Sequence, residues 1–238
     1  MERKRKNRTK SPGQPDAEVL KSARVLPQTM RSRLQLNLKP ATIEKSLLYC
    51  LNDLGCKRGE QLIDTTEYHL MLLEICNALT QGMIIRQPKC GLLFSGQFGT
   101  GKTTLMLGFR KFFDLLKKTP EAWTYQEIDS LENVYVRAED FRYPIVSYEK
   151  FLEAASAPIL FLDNLGIELE NPKDNLAVEL IRNLIRIRYD MRLFSMIATP
   201  FDKQSIREIY GNQIASIIND GYSVIEFDWK PFRKQSRQ

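Results

Sequence analysis

The segment from Gly91 to Lys118, GLLFSGQFGTGKTTLMLGFRKFFDLLKK, constrains the fold of this chain more than any other stretch. GLLFSG is a continuous apolar run that ends on glycine, and Leu105, Phe109 and Phe112 then recur at helical spacing. An unalternated apolar run is typical of a strand buried on both faces, and the later spacing is typical of an amphipathic helix. The segment therefore predicts a strand, a glycine-rich loop and a helix in immediate succession.

The same alternation continues towards the end of the chain. Further strands are predicted in NVYVRAEDF, APILFLDN, LFSMIAT and YSVIEFDW, and further helices in DNLAVELIRNLIRIRYD and DKQSIREIYGNQIASIIND. Unalternated strands separated by helices predict a parallel sheet that is covered on both faces. The expected fold class is therefore α/β, with a parallel five-stranded sheet between helices.

The region before this alternation has a different composition. Two helices are predicted in ATIEKSLLYCLNDLG and TTEYHLMLLEICNALTQG from their apolar spacing. Residues 1–40 hold 11 Lys and Arg against 3 Asp and Glu, a net charge of +8, whereas residues 41–238 carry −2. We therefore expect a disordered basic leader at 1–40, a helical lead-in at 41–85 and the α/β domain at 86–238. The leader is either a solvated tail or a contact for nucleic-acid phosphates.

Several classes of protein are excluded by composition. The longest apolar runs, such as APILFL, are far shorter than the roughly 18 residues that a membrane span needs. The basic first residues MERKRKNRTK precede SPGQPDAEVL rather than an apolar segment, so they do not make a secretory signal. The sequence thus predicts a cytoplasmic protein without membrane contact.

The four cysteines are too few and too scattered for a disulfide framework. Cys50, Cys56, His69 and Cys76 could be considered as a zinc site. Their spacing lacks the tight pair of cysteines found in ordinary structural zinc sites. Buried helical thiols explain the cysteines better, because free cysteine is among the most buried residue types.

The glycine-rich loop matches the pattern G-x-x-x-x-G-K-[ST] of a phosphate-binding loop at Gly96, Gly101, Lys102 and Thr103. Glycines are needed there because backbone N–H groups must approach phosphate oxygens closely. Lys102 would reach the β and γ phosphates, and the Thr103 hydroxyl would bind Mg²⁺. The predicted nucleotide-binding residues are Gly96, Gly99, Thr100, Gly101, Lys102, Thr103 and Thr104, and the expected cofactors are ATP and Mg²⁺.

A second acidic site is needed at the end of a neighbouring strand, because Mg²⁺ is held by an Asp as well as by the loop hydroxyl. FLDNLGIE provides Asp163 at the end of a predicted strand, sixty positions after Thr103. We predict that Asp163 is catalytic together with Lys102 and that it shares the metal with Thr103. An Asp-Asn pair that only ends a strand in a turn is the alternative.

The chain resembles the AAA+ ATPases that load bacterial replicative helicases, the DnaC group, and the similar transposon helper ATPases of the IstB group. The resemblance covers roughly residues 88–233. It rests on GLLFSGQFGTGKTTL, FLDNLGIE, LIRIRYDMRLFSMIAT and IYGNQIASIINDGYSVIEFDWKPFR. It implies an AAA+ core without a separate helical lid, ATP bound between subunits of a homo-oligomer, single-stranded DNA nearby, and a replicative helicase or transposase as partner.

Three positions depart from the family pattern. Asn164 stands where the family usually has an acidic residue, which leaves the general base in doubt; Glu168 is an alternative water-positioning group or a solvent-facing loop carboxylate. The fourth strand ends in Thr199-Pro200 instead of a polar pair, so only Thr199 could act as a sensor of the γ phosphate. Ile217 stands where the family has an arginine that completes a neighbour's site.

Arg207 and Arg188 are nearby substitutes for that arginine, although surface or packing roles are more common for arginine. The sequence therefore favours a replicative-helicase loader that binds ATP. A transposition helper and a nucleotide-dependent adaptor with little or no hydrolysis are alternatives. A small-molecule kinase is a further alternative. The sequence shows no compact Arg-rich lid segment, which argues against a kinase.

Overall fold

A computed structural model of the chain describes residue 36 and residues 38–58, 65–80, 89–118, 132–142, 144–170 and 175–229. The helices and strands in these ranges are α1 (Pro40–Arg58), α2 (Thr66–Thr80), β1 (Gly91–Gly96), α3 (Lys102–Leu116), β2 (Asn133–Arg137), α4 (Pro144–Ser156), β3 (Ile159–Asp163), α5 (Asn175–Asp190), β4 (Phe194–Thr199), α6 (Lys203–Gly221) and β5 (Tyr222–Phe227). Two 3₁₀ turns, Ala138–Arg142 and Ile167–Glu170, follow β2 and β3. Most of the predicted basic leader lies outside the described residues.

The five strands form one parallel sheet in the order β2-β3-β4-β1-β5, which confirms the predicted α/β fold class. In a parallel sheet all carboxyl ends meet at one edge. Arg137 at the end of β2 is in register with Asp163 at the end of β3. Ser95 in β1 is likewise in register with Thr199 in β4. The carboxyl ends of the strands thus bring Asp163 and Thr199, two predicted site residues, to the same side of the sheet.

Two hydrophobic cores cover the two faces of the sheet, as the unalternated strands predict. Leu92 and Phe94 of β1 belong to a core shared with α1, α2 and α3. Leu93, between them, belongs to a second core shared with α4, α5 and α6. Because both faces of the sheet are buried, Leu92, Leu93 and Phe94 of β1 are all apolar whichever face they point to.

The two lead-in helices pack into the same core as the sheet. Leu47 and Leu51 of α1 are fully buried beside Phe109 of α3. A Cβ added at Gly108 in α3 would lie 2.5 Å from Cδ2 of Leu51, closer than any real contact. Glycine at this position therefore lets α1 approach α3, and the lead-in is continuous with the α/β domain in its packing.

Three local features differ from the sequence prediction. The strand predicted in NVYVRAEDF ends at Arg137, because the Asp140 carboxylate accepts a hydrogen bond from the Arg137 N–H at 3.2 Å and turns the chain into a 3₁₀ turn. Helix α4 was not predicted at all. In addition, α6 is broken by a kink at Gly211, whose φ of 84° is non-helical.

No helix among the described residues is long and apolar enough to cross a membrane.

Candidate nucleotide-binding site

The phosphate-binding loop joins β1 to α3 and contains three glycines with positive φ. The φ angles are 147° at Gly96, 80° at Gly99 and 95° at Gly101, the last of which precedes the first residue of α3. A Cβ at Gly96 would lie 2.4 Å from the Phe227 carbonyl oxygen. The loop conformation therefore requires glycine both for backbone geometry and for space, and it directs the amino end of α3 into the loop.

Lys102 begins α3, and its side chain lies across the loop with only 8% of its surface exposed. Its Nζ donates hydrogen bonds to the carbonyl of Gly96, to the carbonyl of Gln97 at 2.7 Å and to the Thr100 hydroxyl at 3.3 Å. Burial lowers the pKa of Lys102 to about 8, and the negative charge of Asp163 partly opposes that shift. The cation is therefore already desolvated at the place where phosphate oxygens would be its natural partners.

Thr103 and Asp163 are joined as the motif requires. The Thr103 hydroxyl donates to Oδ2 of Asp163 at 2.9 Å, although the two residues are sixty positions apart. Asp163 is 1% exposed and sits at the end of β3. A hydroxyl and a carboxylate oxygen are the hard oxygen ligands that Mg²⁺ prefers, so this pair fits that metal.

Two further donors fix the Asp163 carboxylate. The Tyr135 hydroxyl, from β2, donates to Oδ2 at 2.7 Å, and the backbone N–H of Asn164 donates to Oδ1 at 2.9 Å. Burial, reinforced by Asp163, raises the pKa of Tyr135, so this tyrosine remains a donor at neutral pH. Sequence reasoning did not identify Tyr135, because its role depends on β2 lying next to β3.

The other loop threonines are placed differently. Thr100 is buried; its hydroxyl donates to the Gln97 carbonyl at 2.8 Å, and its own carbonyl accepts a hydrogen bond from Nε1 of Trp229 at 3.1 Å. Thr104 lies half-buried in the first turn of α3. Trp229 follows β5 and was also missed by sequence reasoning, since a contact over 129 positions has no local signal.

Asn164 adopts a left-handed backbone conformation, with a φ of 59°. Its side-chain Nδ2 donates to Oε1 of Glu139 at 3.3 Å. Asn164 therefore contacts two carboxylates, one through its backbone and one through its amide. Glu139 lies in the 3₁₀ turn after β2 and was not singled out by the sequence analysis.

Glu168 is fully buried and is not a solvent-facing loop residue. Its Oε2 accepts from the Gly166 N–H at 2.8 Å, and its Oε1 accepts from the Tyr210 hydroxyl of α6. Burial raises the pKa of Glu168. Both oxygens thus attach the loop after β3 to α6, and this geometry favours a structural role over the predicted positioning of water.

Thr199 is likewise fully buried, and its hydroxyl is used by the backbone. Oγ1 donates to the Leu165 carbonyl at 2.8 Å and accepts from the Phe201 N–H at 3.1 Å, on the far side of Pro200. A hydroxyl engaged on both sides has little capacity left for a γ phosphate. The sensor role of Thr199 remains a prediction.

The positions considered for a neighbouring subunit's arginine differ sharply in exposure. Ile217 is buried in the second core. Arg188 is fully buried; it donates to Ser195 Oγ at 2.8 Å and to the carbonyls of Ala154, Ala157 and Phe194 at 2.6–2.7 Å. Burial lowers the pKa of Arg188 to about 9. It is a packing arginine, whereas Arg207 is exposed and donates to Asn212 Oδ1 at 2.5 Å.

The cysteines that the structure describes support the thiol interpretation. Cys50 and Cys76 are buried and free, and burial raises the pKa of Cys50 and brings that of Cys76 to about 12. Nδ1 of His69 lies 3.1 Å from Oε1 of Glu44. Within the described ranges no three His, Cys, Asp or Glu side chains form a group that could hold a metal. The Cys56 side chain lies outside those ranges.

Comparison with family models and with curated proteins gave no match. Among solved structures, the chain is similar to the DnaC helicase loader, with a TM-score of 0.51, 19% identity and coverage of 70% of this chain and 93% of that chain. It is similar to DnaI, with a TM-score of 0.50, 17% identity and coverage of 80% and 93%. A third is domain III of the Thermotoga maritima replication initiation protein DnaA, with a TM-score of 0.50, 14% identity and coverage of 70% and 64%.

The chain thus spans less than two thirds of the length of that DnaA structure and nearly the full length of the DnaC and DnaI structures. At identities below 20% the likeness concerns the fold. The shared fold is a P-loop α/β fold with a parallel five-stranded sheet between helices.

Proposed function

We propose that this chain, which has the fold of the AAA+ helicase loaders, binds Mg-ATP and uses the bound nucleotide to position a replicative helicase on DNA. The proposal of nucleotide binding rests on the 2.9 Å hydrogen bond from the Thr103 hydroxyl to Asp163, beside the buried Lys102. Lys102 and the loop N–H groups would hold the phosphates. Thr103 and Asp163 would hold Mg²⁺, which neutralises phosphate charge when bound.

The replication part is supported by fold likeness and by charge. Two of the similar structures are named as a helicase loader and a replication initiation protein. We propose the basic leader, residues 1–40 with a net charge of +8, as a contact for single-stranded DNA, and the lead-in at 41–85 as a surface for the partner. Subunits of a homo-oligomer would meet across the ATP bound to the domain at 86–238.

Equilibrium titration with Mg-ATP tests the nucleotide site. Lys102→Ala should weaken ATP binding at least tenfold, because it removes the desolvated cation, and Asp163→Asn should remove the dependence of binding on Mg²⁺. Lys118→Ala, at an exposed lysine just after α3, is the matched control and should leave affinity unchanged. Equal affinity in wild type and Lys102→Ala would refute the proposed site.

Salt dependence of binding to single-stranded DNA tests the leader in the full-length chain. Six of the first ten residues are basic: Arg3, Lys4, Arg5, Lys6, Arg8 and Lys10. If all six contact phosphates, replacing them by Gln should reduce the slope of log affinity against log salt by about 4, at about 0.7 per contact. An unchanged slope would place DNA binding elsewhere, and no binding by the wild type would remove the direct DNA contact.

The partner can be identified by sedimentation of the chain with the replicative helicase encoded in the same genome, with and without Mg-ATP. A nucleotide-dependent complex supports the loader function. A complex with a transposase instead would support the transposition-helper alternative.

The adaptor alternative, in which ATP is bound with little hydrolysis, is favoured by the engaged hydroxyl of Thr199 and the burial of Ile217. Phosphate release measured with and without single-stranded DNA distinguishes this adaptor from a loader that hydrolyses ATP. Turnover on the order of 1 s⁻¹ that disappears in Lys102→Ala would rule out the adaptor.

A further inference from the structure

The 3₁₀ turn after β2 brings an acidic side chain to the same edge of the sheet as Asp163. β2 and β3 are neighbouring parallel strands, and Arg137 is in register with Asp163. Glu139 therefore lies two residues beyond one strand end, and Asn164 lies one residue beyond the other. The 3.3 Å contact between Asn164 Nδ2 and Glu139 Oε1 shows that the two side chains meet there.

One oxygen of this carboxylate has no partner. Oε2 of Glu139 is buried and makes no hydrogen bond to any residue that the structure describes. A buried polar atom without a partner costs about 1–3 kcal/mol, so such atoms usually bind a water molecule or a ligand. Among the described residues this oxygen is therefore an acceptor at the Asp163 edge that makes no hydrogen bond.

The turn that carries Glu139 is held on both sides. Asp140 accepts a hydrogen bond from Lys150 Nζ of α4 at 2.7 Å. Arg142 donates to the carbonyl of Ile167 and, at 3.2 Å, to that of Glu168, in the loop after β3. A carboxylate on a turn fixed to both α4 and the Asp163 loop has a defined position, which a catalytic group needs.

We propose that Glu139 is the general base for ATP hydrolysis, a role that Asn164 cannot fill because it has no carboxylate. This proposal rests on the proposed Mg-ATP site. Glu139 accepts a proton from the attacking water as the water oxygen bonds to the γ phosphorus. The bond from the γ phosphorus to the β–γ bridging oxygen breaks, and ADP leaves with its electron pair. Phosphate is the second product, and the proton on Glu139 is then released to solvent. Asn164 is a positioning residue that holds Oε1 and leaves Oε2 for the water.

Glu139→Gln is the decisive variant because it preserves the shape of the contact. A glutamine keeps an Oε1 that accepts from Asn164 Nδ2, so we expect an unchanged melting temperature and an ATP affinity within threefold of wild type. Turnover should fall by about 10²–10⁴, the usual contribution of a general base. Glu149→Gln, at an exposed carboxylate in α4, is the matched control and should hydrolyse ATP at the wild-type rate.

The nucleotide held by the protein provides a readout besides turnover. After incubation with Mg-ATP and rapid removal of free nucleotide, wild type should carry mainly ADP, whereas Glu139→Gln should carry intact ATP. Hydrolysis by Glu139→Gln within threefold of wild type would overturn the inference, as would loss of ATP affinity together with turnover. Wild type that binds ATP without hydrolysing it, even with single-stranded DNA, would overturn this inference and leave the proposed ATP binding standing. Wild type that binds no ATP would refute the proposed function itself.

Discussion

Trp229 connects the lead-in helices to the phosphate-binding loop. Its Nε1 donates to the Thr100 carbonyl at 3.1 Å, while its ring packs on Phe227 at a centroid distance of 4.8 Å and meets the edge of Tyr68 in α2 at 6.3 Å. Trp229→Phe keeps an aromatic ring in this stack but deletes the donor together with the second ring of the indole. ATP affinity therefore reports the hydrogen bond to the loop, whereas the smaller ring affects mainly the stability of the fold.

The expected magnitude follows from the energy of that bond. A hydrogen bond between neutral groups contributes about 1 kcal/mol. If the indole N–H holds the loop in its phosphate-binding conformation, losing this hydrogen bond lowers the fraction of molecules whose loop can bind phosphate. The Kd for ATP then rises by about fivefold. The melting temperature should fall by at least about 2–4 °C in a chain of this size, because the smaller ring also loses packing. Calorimetric titration with Mg-ATP and a thermal melt measure the two quantities.

Controls separate loop positioning from packing. Tyr68→Phe retains both the ring at the edge of Trp229 and the indole donor, so ATP affinity should not change. Trp123→Phe makes Trp229 the single tryptophan, because the sequence contains two, and its emission should then respond to Mg-ATP. A Trp229→Phe variant with an unchanged Kd and a lowered melting temperature would refute the reasoning, since the bond would then stabilise the fold without positioning the loop.

Two other predictions concern the buried cations. The pKa of Lys102 is lowered to about 8 by burial, and bound phosphates would raise it, so ATP binding takes up a proton above that pH. ATP affinity should therefore fall as the pH rises above about 8, by up to tenfold per pH unit, and Lys102→Met should abolish this dependence; a flat wild-type profile above that pH would contradict the assignment. Arg188→Met leaves four buried acceptors without their donor. We therefore expect the free energy of unfolding, measured with urea, to fall by about 3–5 kcal/mol. Arg207→Ala, at an exposed arginine, should lower it by less than about 0.5 kcal/mol. Similar stabilities for the two variants would show that Arg188 is not a packing residue.

The parts of the fold that the sequence predicts are those with a strong local signal. The apolar strands are recognisable because both faces of the sheet are covered. The pairing of Thr103 with Asp163 follows because the loop before Thr103 leaves the end of β1, Asp163 ends β3, and the ends of parallel strands meet at one edge. In the DNLG stretch, the role of Gly166 became clear only from the structure: its φ is 102°, and a Cβ there would lie 2.3 Å from the Phe201 ring.

Other features have no local signal. The inward positions of α4 include Ala154 and Ala155, which are small and give a weak periodic pattern. Arg188 is charged, so from sequence it suggests exposure, and its burial depends on acceptors that α4 and β4 bring together. Tyr135 and Glu139 contribute to the site only because β2 lies beside β3, which is a property of the strand order and not of either segment.

The departures from the family pattern have different physical consequences. Glu139 can supply the carboxylate that Asn164 lacks, because the two side chains are in contact. Ile217 itself is apolar and buried in the second core, so this position provides no cation to a neighbour. Arg207 lies on the same helix and is exposed, so a cation for a neighbouring site can come from there. If the proposed homo-oligomer forms across ATP, with the base from one subunit and Arg207 from the next, turnover by this chain should increase with protein concentration as subunits associate.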